Sequence, residues 1–244
     1  MTILGPAGSG TGAGAGHPAR PSPPGLDELP EPFRTALGEL RRARTRREAL
    51  VEEIPAPSRL APYAVALRAE VPDPATMPDH PSPNHPAHAA RGSRSPRAGG
   101  SGPAPEDAEL LAAGRFVLLH DPAGHETWDG TFRVVIYIRA ELDAEMGDDP
   151  LLASVAWTWL RDALGQYGVE HHHAGGTATR ILSESFGSLE DRGPSNTVEL
   201  RASWTPTGRR FDAHLEAWAD MVCSFAGLPA LPDGVVAMPH LRRN

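Results

Sequence analysis

The chain contains no lysine: all 23 of its basic residues are arginine. That absence removes whole classes of chemistry. A phosphate-binding loop ending in Lys, a Schiff-base amine and a kinase-type catalytic Lys are all excluded. Cysteine is scarce too. The single Cys223 rules out an intrachain disulfide, which fits a reducing compartment. No apolar run approaches the roughly 20 residues that a membrane-spanning helix needs. The first residues lack a basic stretch followed by an apolar one, so no secretory leader is read. These absences together lead to the expectation of a cytoplasmic protein with no membrane partner. Acidic residues outnumber basic ones 31 to 23, for a net charge of −8. A molecule of that sign repels polyanions at long range, so nucleic acid is not the expected partner.

Glycine and proline are abundant, at 25 and 26 residues, but unevenly placed. They crowd residues 1–30 and 72–108, which hold too few apolar side chains to offset the entropy of ordering. The first stretch reads as a disordered tail and the second as a disordered insert. Residues 31–71 and 109–238 remain, enough for a single domain.

Periodicity gives that domain its elements. Phe33, Leu37, Leu40, Ala43, Leu50, Val51 and Ile54 recur at helical spacing, which predicts one helix over residues 31–54 with Pro32 in its first turn. Tyr63 to Val71 alternates as a half-buried strand. Residues 115–120 form a short apolar strand, and a turn-rich connection leads to another over 131–139, with Phe132, Val134, Ile136 and Ile138 inward. Asp149 and Pro150 open a helix that Gly168 ends. Strands are read over 177–186 and 197–204, the second with Val198, Leu200, Ala202 and Trp204 inward. Phe211, Leu215, Trp218, Val222 and Phe225 mark the apolar stripe of a last helix. The expected class is α+β, with a mainly antiparallel sheet in the order α-β-β-β-α-β-β-α.

No motif carries a defensible active site. The run Gly8-Ser9-Gly10-Thr11-Gly12-Ala13 matches a relaxed dinucleotide fingerprint, but neither a strand nor a helix flanks it. It reads as linker, and no cofactor is expected. His120, His125, Glu126 and Asp129 share one loop and offer ligand chemistry for a divalent metal, or a catalytic set for a hydrolase or nuclease-type enzyme. Their spacing matches no metal motif, so no metal is assigned. His171, His172 and His173 follow a helix end and read as a surface loop with adventitious metal affinity, as do His80, His85 and His88. Arg41, Arg42, Arg44, Arg46 and Arg47 form the densest basic run. Acidic neighbours favour a solvated helix face over an RNA site. Outward positions on two strands place Arg133, Tyr137, Arg139 and Arg201 as neighbours of Glu199 and Ser203, and this face is the candidate binding surface.

Seven collinear segments carry a family resemblance. They are EEIPAPSRLAPYA (52–64), GRFVLLHDPAGHETWDG (114–130), FRVVIYIRAELDAEMGDDPLL (132–152), WTWLRDAL (157–164), GTATRILSESFG (176–187), VELRASWTP (198–206) and HLEAWADMVCSFAGLP (214–229). Together they resemble the actinobacterial "domain of unknown function 3000" family. That family brings no activity and no site residues. Its members are often encoded near a ribonuclease-D-like protein, which implies an RNA-related context. The order of elements is separately similar to that of small acidic secretion-chaperone-like folds, which are commonly homodimers that bind other proteins. The leading expectation is a non-enzymatic protein-binding or chaperone-like adaptor that dimerises. A metal-dependent hydrolase or nuclease using the 120–129 loop, and an RNA-associated protein, are the alternatives.

Overall fold

Alternating apolar side chains commit most of the chain to strands, and the strands pair into one sheet. In a computed structural model, the residues described are 28–75 apart from 58, then 109–142 and 149–229. The expected tail and insert lie almost wholly outside them. Helix α1 (Glu31–Leu40) leads into strands β1 (Leu50–Ile54), β2 (Tyr63–Pro72), β3 (Leu110–His125) and β4 (Gly130–Leu142). Helix α2 (Leu152–Gln166), strands β5 (His171–Ser183) and β6 (Ser195–Pro206) and helix α3 (Phe211–Phe225) complete it. All strand pairs are antiparallel, in the spatial order β1-β2-β3-β4-β6-β5. The α+β class read from the sequence is the class observed.

The ends of the described stretch before residue 109 meet. The Asp73 N–H donates to the Glu109 carbonyl at 2.7 Å. Pro72, which composition assigned to the insert, still belongs to β2.

The helix read over residues 31–54 is corrected. α1 stops at Leu40, and residues 41–54 are turns, loop and strand β1. Tertiary contacts override the helical periodicity here. The Arg44 N–H donates to Glu216 of α3 at 2.6 Å. Arg46 reaches a buried pair with Asp220 of α3, Nη1 to Oδ1 at 3.1 Å, and donates to the Pro229 carbonyl at 2.9 Å. Burial alone would lower the Arg46 pKa, but the hydrogen bond to Asp220 and the charges around it outweigh burial, and the net shift is upward. These anchors pin the loop against α3 and release Leu50–Ile54 to pair with β2. Glu39 is likewise recruited, accepting from the Phe211 N–H at 3.1 Å at the start of α3, where the helix dipole favours a carboxylate.

All three helices pack on one face of the sheet. Val65, Ala69 and Val71 of β2, Phe116 and Leu118 of β3, Val134, Ile136 and Ile138 of β4, and Val198, Leu200 and Trp204 of β6 meet them there. α3 lies centrally, touching β2, β3 and β4 beneath it and α1 and α2 beside it. It lies close on β3 at Gly114. A Cβ there would stand 2.8 Å from Val222 Cγ2 and 2.9 Å from Trp218 Cζ2, both inside contact distance. Only glycine lets the helix lie this near the strand. Cys223 is buried on the same helix, and burial pushes its thiol pKa up to about 12, so it behaves as a small apolar side chain.

Trp218 is fully buried, whereas Trp128 stands half-buried on a 3-10 turn (Glu126–Trp128) in the β3–β4 hairpin. Trp218→Ala should cost about 3–5 kcal/mol by urea unfolding, and Trp128→Ala markedly less. An equal or larger loss at Trp128 would contradict this placement of the core.

Candidate functional site

With every helix on one side, the other face of the sheet is helix-free, and the period-two alternation decides what it displays. One cross-strand row runs Glu52, Arg68, Arg115, Tyr137, Arg201 and Thr177. The next runs Leu50, Glu70, Ala113, Arg139, Glu199 and Thr179. All four of the residues the sequence offered as a binding face, Arg133, Tyr137, Arg139 and Arg201, therefore do share this surface. Arg68 and Arg115 join them. Sequence reasoning missed Arg115, although its place between Gly114 and Phe116 in an alternating strand marked it as outward.

The charges on this face differ in how they are matched. Arg68 pairs with Glu52 and with Glu70, the latter at 3.0 Å. Glu199 accepts from the Tyr137 hydroxyl at 2.8 Å and pairs with Arg201 at 3.0 Å, while the Arg201 guanidinium lies 5.4 Å from the centre of the Tyr137 ring. Burial and the bond to Glu199 raise the Tyr137 pKa. Arg115 and Arg139 are exposed and, among the described residues, form no ion pair. Arg133 is half-buried, donates to Thr205 Oγ1 at 3.0 Å and Ser203 Oγ at 2.7 Å, and has no carboxylate partner among the described residues. Burial lowers its pKa. Arg115, Arg133 and Arg139 thus stand outside any ion pair among the described residues, around a tyrosine held by Glu199.

The loop candidates do not converge. His120 is buried between Phe33 and Phe132 in a stacked series, with ring centroids 5.8 and 4.2 Å away. Its Nδ1 lies 2.9 Å from the Thr131 carbonyl, and burial lowers its pKa. His125 stacks on Trp128 at 4.6 Å. Glu126 is exposed on the 3-10 turn. Only Asp129 meets other ligand-type groups, and these are His172 and His173, from the second histidine group. That group is not a loop, as the sequence implied, but the first residues of β5, held by pairing of His171 with Pro206 and His172 with Thr205. The arginine run is divided as well. Arg41, Arg42, Arg44 and Arg47 are exposed beyond the end of α1, and Arg46 is buried, so no uninterrupted basic helix face exists there.

The fold and face define an α+β domain with a one-sided antiparallel sheet and an arginine-rich open surface. Its family is settled by a match over residues 29–236 to the model described as "Protein of unknown function (DUF3000)", and the chain belongs to that family. No curated protein and no solved structure matches it. Among the described residues, no helix is long and apolar enough to cross a membrane.

His214 of α3 is, like His120, a fully buried imidazole. The Trp204 indole N–H donates to His214 Nδ1 at 2.9 Å, which fixes the neutral tautomer. Burial, with smaller contributions from His171 and Arg210, pushes the His214 pKa from 6.5 down to about 3. In the unfolded chain this group takes a proton below about pH 6.5, and in the folded chain it does not. Stability should therefore fall as pH drops through that window, by about 2 kcal/mol between pH 7 and pH 5. Urea unfolding at the two pH values measures this, and His214→Gln should flatten the dependence. An unchanged slope in the variant would show that His214 is not its source.

Proposed function

We propose that the protein is a non-enzymatic adaptor that acts in the cytoplasm and binds an acidic, extended segment of another protein on its helix-free sheet face. The observation that carries this reading is the pair Arg115 and Arg139, exposed, without ion-pair partners among the described residues, and fixed on adjacent rows of a rigid sheet. Carboxylates of a partner would supply the missing counter-charges, and Arg and Tyr are residue types that concentrate interface energy. The half-buried Arg133 adds a third unmatched guanidinium, already desolvated and oriented by Ser203 and Thr205. A single-stranded nucleic acid is less well served. Base stacking needs open aromatic faces, and Arg201 stands over the ring of Tyr137.

Dimerisation belongs to the same proposal. β5 lies at the edge of the sheet, and Ile181, Leu182, Phe186 and Leu189 are exposed on it or just after it. A long edge strand flanked by apolar side chains is a ready template for pairing with a second copy.

The test is capture from a lysate of the native host onto immobilised protein, with and without ribonuclease. Wild type should retain a protein partner after ribonuclease treatment. Arg115→Glu/Arg139→Glu should lose at least about tenfold of it, because two exposed contacts are reversed in sign without disturbing the core. Arg44→Ala/Arg47→Ala should retain it, and cross-linked peptides of the partner should be acidic. Ribonuclease-sensitive capture, or capture indifferent to the sheet-face variant, contradicts the proposal.

A further inference from the structure

Adjacent side chains on a regular strand point to opposite faces of the sheet. His172 and His173 do not follow that rule. β5 carries a bulge at this point: His172 pairs with Thr205 and Gly175 with Ser203, so three steps along β5 span two along β6. His173 takes a left-handed conformation, φ 51°. The two rings come together as a result, with centroids 5.0 Å apart and planes at 82°. Facing them is Asp129 at the end of the β3–β4 hairpin, also left-handed at φ 51°. Asp129 and His173 are the two non-glycine residues with positive φ among the described residues. Both of these left-handed residues deliver a side chain to one point.

From this geometry we propose that Asp129, His172 and His173 form a three-ligand site for a divalent first-row cation of the zinc class. Asp129 Oδ2 lies 3.7 Å from His172 Nε2 and 3.6 Å from His173 Nε2, and the three donor atoms all lie within 4.8 Å of one another. Tetrahedral zinc with bonds near 2.0–2.1 Å sets donors about 3.3 Å apart. The side chains therefore need to close by only a few tenths of an ångström at the two aspartate edges. Two imidazoles and one carboxylate are the donor types that zinc and its first-row neighbours take.

A second shell is in place. His172 Nδ1 lies 3.2 Å from Thr207 Oγ1, which orients the ring so that Nε2 faces Asp129. That Nε2 rests 3.1 Å from the Asp129 carbonyl, a contact that the ion would replace. Asp129 and His173 are exposed, so the fourth position opens to solvent. The site joins one residue of the 120–129 group to two of the 171–173 group, about 40 residues apart in sequence, so no linear spacing could announce it.

The experiment titrates full-length protein with zinc in competition with a chromophoric chelator and follows cobalt by its visible d–d absorption. One zinc should bind per chain with Kd below about 1 μM, and cobalt should give the intense bands of tetrahedral coordination. Asp129→Asn and His173→Asn should each weaken binding more than about 100-fold, since loss of an outer-shell partner alone costs 10–100-fold. Asn tolerates positive φ, so both variants should keep the wild-type circular dichroism and unfolding midpoint. Thr207→Val should weaken binding about tenfold. His80→Asn/His85→Asn/His88→Asn should bind as wild type does. Binding weaker than about 1 μM, binding unchanged in Asp129→Asn, or binding lost in the variant of the three histidines at 80, 85 and 88 would overturn the proposal.

Discussion

The contact of α3 with the strand at Gly114 governs the architecture. With no side chain at that position, Trp218 and Val222 settle directly over β3, and α3 lies close across the middle of the sheet. α1 and α2 then flank it on the same side. The buried Arg46–Asp220 pair fastens the loop after α1 to the same helix. Removing Arg46 would leave the buried Asp220 carboxylate without its ion-pair partner, which costs several kcal/mol. With the helices on one side, the opposite side of the sheet carries the arginine rows beside an apolar row of Ile54, Ala66, Val117 and Val135.

That division gives the arginines distinct roles, although lysine is absent and arginine alone carries positive charge. Arg46 is structural, its Nη1 held by Asp220 and the Pro229 carbonyl. Arg68 and Arg201 are matched by carboxylates on the sheet. Arg115 and Arg139 are exposed and form no ion pair among the described residues. At the hairpin end of the face, Thr205 accepts from Arg133 and donates to the Trp128 carbonyl, the residue before Asp129. A short hydrogen-bonded chain thus links the arginine surface to the Asp129–His172–His173 cluster. The two inferred sites rest on different observations but share this end of the sheet.

Much of the fold was legible because strands that bury one face must alternate. Val134, Ile136 and Ile138, and Val198, Leu200 and Trp204, point inward as their spacing requires, and Arg133, Tyr137, Arg139 and Arg201 consequently share the other face. Gly168 ends α2 in the left-handed conformation expected of it. The region after α1 was not legible. Leu50, Val51 and Ile54 recur at helical spacing, and that spacing is overridden by the contacts of Arg44 and Arg46 with Glu216 and Asp220, more than 170 residues further along the chain. The histidine cluster was illegible for a related reason. A bulge and two left-handed residues turn the side chains, and pattern alone does not locate either without a glycine to mark it.

Binding at the helix-free face requires that its arginines be accessible in the free protein. Phenylglyoxal labelling of the free, full-length protein, read residue by residue by mass spectrometry, measures this, and the absence of lysine keeps the chemistry simple. Arg115, Arg139 and Arg201 should react rapidly, Arg133 slowly, and Arg46 only on unfolding. Protection of Arg115 and Arg139 in the free protein, at the level of Arg46, would mean that the face is already covered and would contradict the account.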